Sequence, residues 1–199
     1  MNTEYSDYTR RLERLLEVCR ILSANLEIEP LLQSIIEMAS ELTNSNASYI
    51  LIYDEESTCL RHIAGPWYQL EMLQTLAVPL ERSILGWVYS HNEPRVVQAG
   101  EDHRLYTALK RELGGETVSL LAVPMIFRGT TIGVFAAANK ARDYTEEDLT
   151  ILETLASQAV IAIRNEKWLG QAQAAYEKAM ELDRMKRDFI AIVSHELRT

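Results

Sequence analysis

A histidine followed directly by a glutamate lies close to the C-terminal end of the sequence, at His195 and Glu196. A neutral imidazole is a nucleophile available near pH 7, and a carboxylate beside it can orient the ring and accept the proton from its other nitrogen. Thr199 lies four residues after His195, so the two side chains share one face if the segment is helical. These residue types fit nucleophilic chemistry at His195, but a lone histidine on a helix is usually just a surface or core residue.

The segment from Phe189 to Thr199 resembles the H-box of sensor histidine kinases. The resemblance implies that His195 is a phosphoacceptor, which takes the γ-phosphate of ATP and gives it to the receiver domain of a response regulator. It implies that Glu196 is the proton acceptor and that Thr199 helps to position a water molecule for dephosphorylation. ATP and Mg²⁺ would be held by the ATP-binding domain of the full-length kinase. That domain is not in this sequence, so we expect the chain alone to be an inactive fragment of the enzyme.

A long helix is predicted to carry these residues, from Thr145 to the end of the chain. Thr145 and Asp148 have capping-box spacing, and no proline follows Pro124. Apolar residues then repeat at alternating spacings of three and four, which is typical of a coiled-coil seam that needs a partner. The seam has two pieces in different registers, which indicates either imperfect packing or a break that transmits a signal. The first piece comprises Leu152, Leu155, Ala159, Ala162, Glu166, Leu169, Gln173, Tyr176 and Met180, and the second comprises Leu182, Met185, Phe189, Ile192 and Glu196.

The first 27 residues form another amphipathic segment. Its apolar residues also repeat at spacings of three and four, which predicts a helix that pairs with its own copy or with the C-terminal helix. They are Leu12, Leu15, Cys19, Leu22 and Leu26.

Between these helices the pattern changes to short strands. We expect a helix from Glu29 to Leu42, followed by strands at 47–53, 58–64, 76–79, 95–97, 118–127 and 131–139. Helices and antiparallel hairpins in this order predict an α+β fold. The sequence therefore divides into an N-terminal helix at 1–27, a folded domain at 28–166, and a signalling helix with the truncated H-box at 167–199.

Three stretches of the folded domain resemble a GAF domain. They are Ser83 to Val88, then Leu121 to Met125 with Ile132 to Phe135 and Asn139-Lys140, and finally Tyr144 to Leu149 with Leu155 to Ala159. The resemblance implies a sheet of about six antiparallel strands, helices on one face that join a dimer bundle, and a ligand pocket on the other face. Members of the family sense small molecules, carry chromophores or only dimerise, so the fold does not identify a ligand.

The family position of the pocket selects a set of candidate ligand-binding residues. Aromatic side chains there would line the pocket and polar side chains would hold the ligand, above strand residues such as Val123 and Phe135. The candidates are Trp67, Tyr68, Trp87, His103, Arg104 and Tyr106. For Trp87 a core position is the alternative, and for Arg104 a structural ion pair.

Known ligands of the family fit this sequence poorly. Cys59 is followed by Leu60, which argues against covalent attachment of a bilin. The cyclic-nucleotide pattern of the family is partly present, as Asn139, Lys140, Tyr144 and Asp148, and then breaks at Leu149. Haem would need an axial ligand from His62, His91 or His103, but no motif surrounds any of them, and a hydrogen-bonded surface histidine is the plainer interpretation.

Composition narrows the class of protein further. The net charge of −9 over 199 residues argues against nucleic acid as a partner. Two distant cysteines indicate neither a disulfide framework nor a metal site, and no apolar run is as long as a membrane span, so we expect a cytoplasmic protein.

These observations predict a sensory GAF module of a histidine kinase, acting as a parallel homodimer with a receiver domain and an ATP-binding domain as partners. A small molecule bound by the domain is a further expected partner. The alternative interpretation is a stand-alone binding module or a dimerisation scaffold without kinase output.

Overall fold

The computed structural model of the chain describes residues 28–98, 110, 112–113 and 119–196, and beyond residue 168 it describes only some of the side chains. The predicted helix at 1–27 lies outside these residues. The described residues form four helices and six strands. In chain order they are α1 (Ile28–Thr43), β1 (Ser45–Asp54), β2 (Cys59–Ala64), α2 (Leu70–Thr75), β3 (Ala77–Pro79), α3 (Ile84–His91), β4 (Arg95–Val97), β5 (Leu120–Phe127), β6 (Thr130–Lys140) and α4 (Glu146–Glu196).

The six strands form one antiparallel sheet in the order β3-β2-β1-β6-β5-β4. Each strand coincides with a predicted one to within two residues at either end. The β5–β6 hairpin closes through Arg128 and Gly129, which both have a positive φ, as a tight turn between twisted strands requires. The α+β class and the six-stranded sheet are therefore confirmed.

Both faces of the sheet are buried. One face carries Ala122, Val134 and Ala136, and these pack in one apolar cluster with Leu85 and Val88 of α3. Because side chains alternate along a strand, the intervening residues of β5 and β6 point to the opposite face. On that side α1 contacts strands β1, β2 and β6, and its apolar stripe is buried.

Helix α4 begins as the sequence predicts. The Thr145 hydroxyl accepts a hydrogen bond from the Asp148 backbone N–H at 3.3 Å, and the Asp148 carboxylate accepts one from the Thr145 backbone N–H at 2.8 Å. This reciprocal pair is a capping box with aspartate in place of the usual glutamate or glutamine.

The first part of the α4 seam is buried in the chain itself. Leu152, Leu155, Ala159 and Ala162 are at most 5% exposed without any second chain. The expectation that all of this stripe requires a partner was therefore wrong for these four residues. The chain divides into two compact units, Met1–Ala162 and Ile163–Thr199, so the boundary falls directly after the buried part of the stripe.

No helix among the described residues is both long enough and apolar enough to cross a lipid bilayer.

Candidate functional site

The N-terminus of α3 is closed by two side chains. The Ser83 hydroxyl accepts a hydrogen bond from the Gly86 N–H at 2.9 Å, as expected for a capping serine. The carboxylate of Glu112 accepts hydrogen bonds from the N–H groups of Ile84 and Leu85, both at 2.9 Å. Glu112 is only 4% exposed. A buried carboxylate is thus stabilised by the free amides and the positive end of the helix dipole.

Glu112 was not predicted to cap a helix. One local feature indicated that an acidic group had to come from elsewhere: the first turn of α3 contains no acidic residue of its own. The residue that supplies the charge lies 28 positions away from Ile84, and local sequence rules do not reach that far.

His62 lies beside Glu112 in the same interior. Its Nε2 is 2.8 Å from the backbone oxygen of Glu112, so this nitrogen carries the proton in the neutral ring. Its Nδ1 has no hydrogen-bond partner, and the ring meets Tyr49 edge-on at 6.0 Å. Burial lowers the pKa of His62 to about 4, although the bond to the Glu112 carbonyl acts in the opposite direction. We expected a hydrogen-bonded surface histidine; the hydrogen bond is present, but the ring is buried.

An open cleft of about 600 Å³ lies along the outer flank of α3. Its wall contains Trp87, whose ring stacks on that of His91 with centroids 4.4 Å apart. The guanidinium carbon of Arg95 lies 5.4 Å from the centre of the Trp87 ring. We call this the α3 cleft; it is lined by Leu80, Glu81, Arg82, Ser83, Ile84, Trp87, Ser90, His91 and Arg95.

The predicted pocket residues are not gathered in this cleft. Trp87 lines it, but Trp67 and Tyr68 do not; they are 79% and 63% exposed and pack edge-to-face against each other. The predicted residues His103, Arg104 and Tyr106 lie outside the described residues.

The residues expected beneath the pocket lie away from the apolar cluster under α3. Val123 pairs with Phe135 across the hairpin. Their neighbours Ala122 and Val134 belong to the cluster under α3, so alternation directs Val123 and Phe135 to the opposite face of the sheet.

The partial cyclic-nucleotide pattern has a structural role. The Lys140 ammonium donates to the Asp148 carboxylate at 2.5 Å, and both groups are largely buried. The same carboxylate oxygen accepts from the backbone N–H and hydroxyl of Thr145. Tyr144 donates its backbone N–H to Gln98, and burial raises the pKa of its phenol to about 12. These residues join β6 to the start of α4.

The candidate phosphoacceptor segment lies at the end of α4. The helix includes His195 and Glu196, whose side chains are outside the described part, and Thr199 lies beyond it. Their predicted roles remain predictions. Among the described residues, no cluster of three or more histidine, cysteine or acidic side chains is arranged to bind a metal ion.

Comparison with known proteins supports the fold and the family. A family model described as GAF domain matches residues 25–164. The GAF domain of a phosphoenolpyruvate-protein phosphotransferase from Coxiella burnetii superposes with a TM-score of 0.70 at 20% identity, covering 81% of this chain and 96% of that one. A methyl-accepting chemotaxis protein segment gives a TM-score of 0.62 at 18% identity, with 76% and 98% covered. These two similarities show the fold alone.

One curated relative adds a distant sequence match. The hybrid signal transduction histidine kinase G of Dictyostelium discoideum is 30% identical over 90 residues, which cover 41% of this chain and 3% of the relative. The chain thus spans a small fraction of that protein's length. The match of the family model to most of the chain, together with the sheet order and the helices on both of its faces, shows that this chain belongs to the GAF domain family.

Proposed function

We propose that this chain is the input module of a sensor histidine kinase, in which the GAF domain controls phosphorylation of His195. One observation carries the proposal: the last helix of the GAF domain continues without interruption from Glu146 to Glu196 and contains most of the H-box. A change of packing at the start of this helix can therefore be passed along the same helix towards His195.

The chemistry follows from the residue types. The imidazole of His195 attacks the γ-phosphorus of ATP, so that a nitrogen–phosphorus bond forms while the bond to the bridging oxygen breaks and ADP leaves. Glu196 accepts the proton of the other ring nitrogen and holds the ring in place. Thr199 helps to position a water molecule for dephosphorylation. ATP and Mg²⁺ come from the kinase's ATP-binding domain, and the phosphoryl group passes on to the receiver domain of a response regulator.

A parallel homodimer fits this role. The second seam piece begins at Leu182, and its member Met185 is 56% exposed in the single chain. Trp168, which precedes it on the same helix, is 46% exposed. Two copies side by side would remove such surface from water at about 25 cal/mol per Å². A ligand that binds one packing of the dimer better than another would shift the population between them.

A stand-alone binding module is the second candidate function. The α3 cleft supports it, because a volume of about 600 Å³ suits a small molecule. The structural neighbours also include a chemotaxis protein and a phosphotransferase, so a GAF domain of this fold is found in proteins with other outputs.

Transfer of phosphate to His195 in a chimera tests the proposed function. Thr199 is joined, at the matching H-box position, to the remaining hairpin helix and ATP-binding domain of a characterised histidine kinase. We expect acid-labile label from γ-³²P-ATP on this chimera and none on the His195→Gln variant. His91→Gln, which removes an exposed imidazole elsewhere, serves as the matched control and should be labelled normally. Equal labelling of the His195→Gln chimera would show that His195 is not the acceptor.

A further inference from the structure

We propose that the α3 cleft binds a small organic anion with a flat apolar body, such as an aromatic carboxylate or phosphate ester. The use of this binding as a signal rests on the proposed function, but the binding itself does not.

The first observation is the charge of the cleft. Arg82 and Arg95 line it, and both are exposed. In the described part of the chain, no carboxylate lies within ion-pair distance of either guanidinium; Glu81 is the acidic residue among those that line the cleft. Two unpaired guanidinium groups on a chain with a net charge of −9 form a local site of opposite sign. Guanidinium groups recognise carboxylate and phosphate through paired N–H donors.

The second observation is the stack that holds Arg95. Trp87 is half-buried and packs against the apolar cluster under α3. His91 stacks on it at an interplanar angle of 15°, and its Nδ1 is 3.0 Å from the Trp87 carbonyl oxygen. The guanidinium carbon of Arg95 lies 5.4 Å from the centre of the Trp87 ring, within the range in which a cation and an aromatic ring attract each other. The cation is therefore positioned before any ligand arrives, which reduces the entropy lost on binding.

The third observation is backbone strain at Arg82. Its φ is +59°, in the left-handed region that an arginine adopts only at a cost in free energy. The residue lies directly before Ser83, which caps α3 and donates its hydroxyl to the Pro79 carbonyl. This conformation carries a side chain that lines the cleft.

The composition of the cleft sets the ligand class. Leu80, Ile84 and Trp87 supply apolar surface beside the two cations. The helix amides do not supply the attraction, because Glu112 and Ser83 already accept from them. The ligand must therefore carry both an anionic group and a flat apolar part. Its anionic group must bind the arginine side chains, since the amides of the helix terminus are already occupied.

Calorimetric titration of the purified chain tests the proposal. The probes are benzoate and phenyl phosphate, with benzyl alcohol as the neutral match and inorganic phosphate as the anion without a ring. We expect at least one aromatic anion to bind about tenfold or more tightly than both comparison molecules. Arg95→Gln should weaken that binding about tenfold. Arg128→Gln is the matched control, because the guanidinium of Arg128 also lies 5.4 Å from an aromatic ring, that of Phe127, on a different hairpin; it should bind as the wild type does.

Arg82→Gly separates a binding role from a structural one. Glycine adopts the positive φ without strain, so this variant should unfold at the same or a higher urea concentration while its affinity for the aromatic anion falls. An unchanged affinity in both Arg82→Gly and Arg95→Gln would overturn the proposal. The proposal would also be overturned if inorganic phosphate bound and the aromatic anions did not, or if an acidic peptide bound and none of the small probes did. Because no kinase domain is present in the titration, its result is independent of whether His195 is phosphorylated.

Discussion

Protonation of His62 should make the stability of the domain depend on pH. Burial lowers the folded-state pKa of this imidazole to about 4 from its ordinary value of 6.5. Between these values the unfolded chain binds a proton that the folded chain does not, so the free energy of unfolding falls as the pH falls through this window. The contribution is fully present above pH 6.5. Integrating the linkage relation from about pH 7.5 to about pH 5 gives a loss of about 2 kcal/mol.

Urea unfolding at several pH values and one protein concentration measures this loss. His62→Gln keeps an N–H donor for the Glu112 carbonyl but does not titrate, so its pH-dependent loss should be smaller than that of the wild type by about 2 kcal/mol. The neighbouring Tyr49, whose pKa burial raises to about 12, stays neutral throughout. Identical slopes for wild type and His62→Gln would refute the buried, neutral imidazole.

Three further predictions concern the packing around α3 and α4, and equilibrium urea unfolding measures each of them. Glu112→Ala removes the acceptor of two helix amides and should lower the free energy of unfolding by about 1–3 kcal/mol. The control Glu81→Ala, at an exposed residue, should change it by less than about 0.5 kcal/mol. Equal effects of the two variants would rule out the cap. Gly86→Ala places a Cβ 2.3 Å from a backbone oxygen and should lower the free energy of unfolding by about 1–3 kcal/mol. Gly170→Ala adds a Cβ that meets open space on a helix and should raise it by up to about 1 kcal/mol. An unchanged stability of Gly86→Ala would contradict the close packing. Asp148→Asn weakens the hydrogen bond from Lys140 and should cost about 1–3 kcal/mol; a cost near zero would remove the structural role of that pair.

Local sequence rules predicted most of the fold because its strands and caps depend on neighbouring residues. Alternating β-branched and aromatic residues with turn residues between them located all six strands. The capping box of α4 was predicted because it joins residues three positions apart.

The site was harder to predict because its contacts are non-local. Glu112 caps α3 from 28 residues away, and the sequence offers no rule that pairs the two. Alternation along β5 correctly predicts that Val123 and Ala122 lie on opposite faces of the sheet, but it does not predict which of the two faces α3. Ala122 and Val123 are both fully buried, so hydrophobicity cannot distinguish the faces either. The sequence alone therefore could not assign Val123 and Phe135 to a face of the sheet.

In the proposed function, the GAF domain controls His195 through the continuous helix α4. The most direct test of this control is the rate of His195 phosphorylation in the chimera after two or seven helix-forming residues are inserted behind Gly170. Seven residues keep the heptad phase, whereas two rotate the downstream segment by roughly 200°. We predict that the seven-residue insertion keeps the parental rate and that the two-residue insertion changes it several-fold. Equal rates in all three proteins would contradict control through this helix.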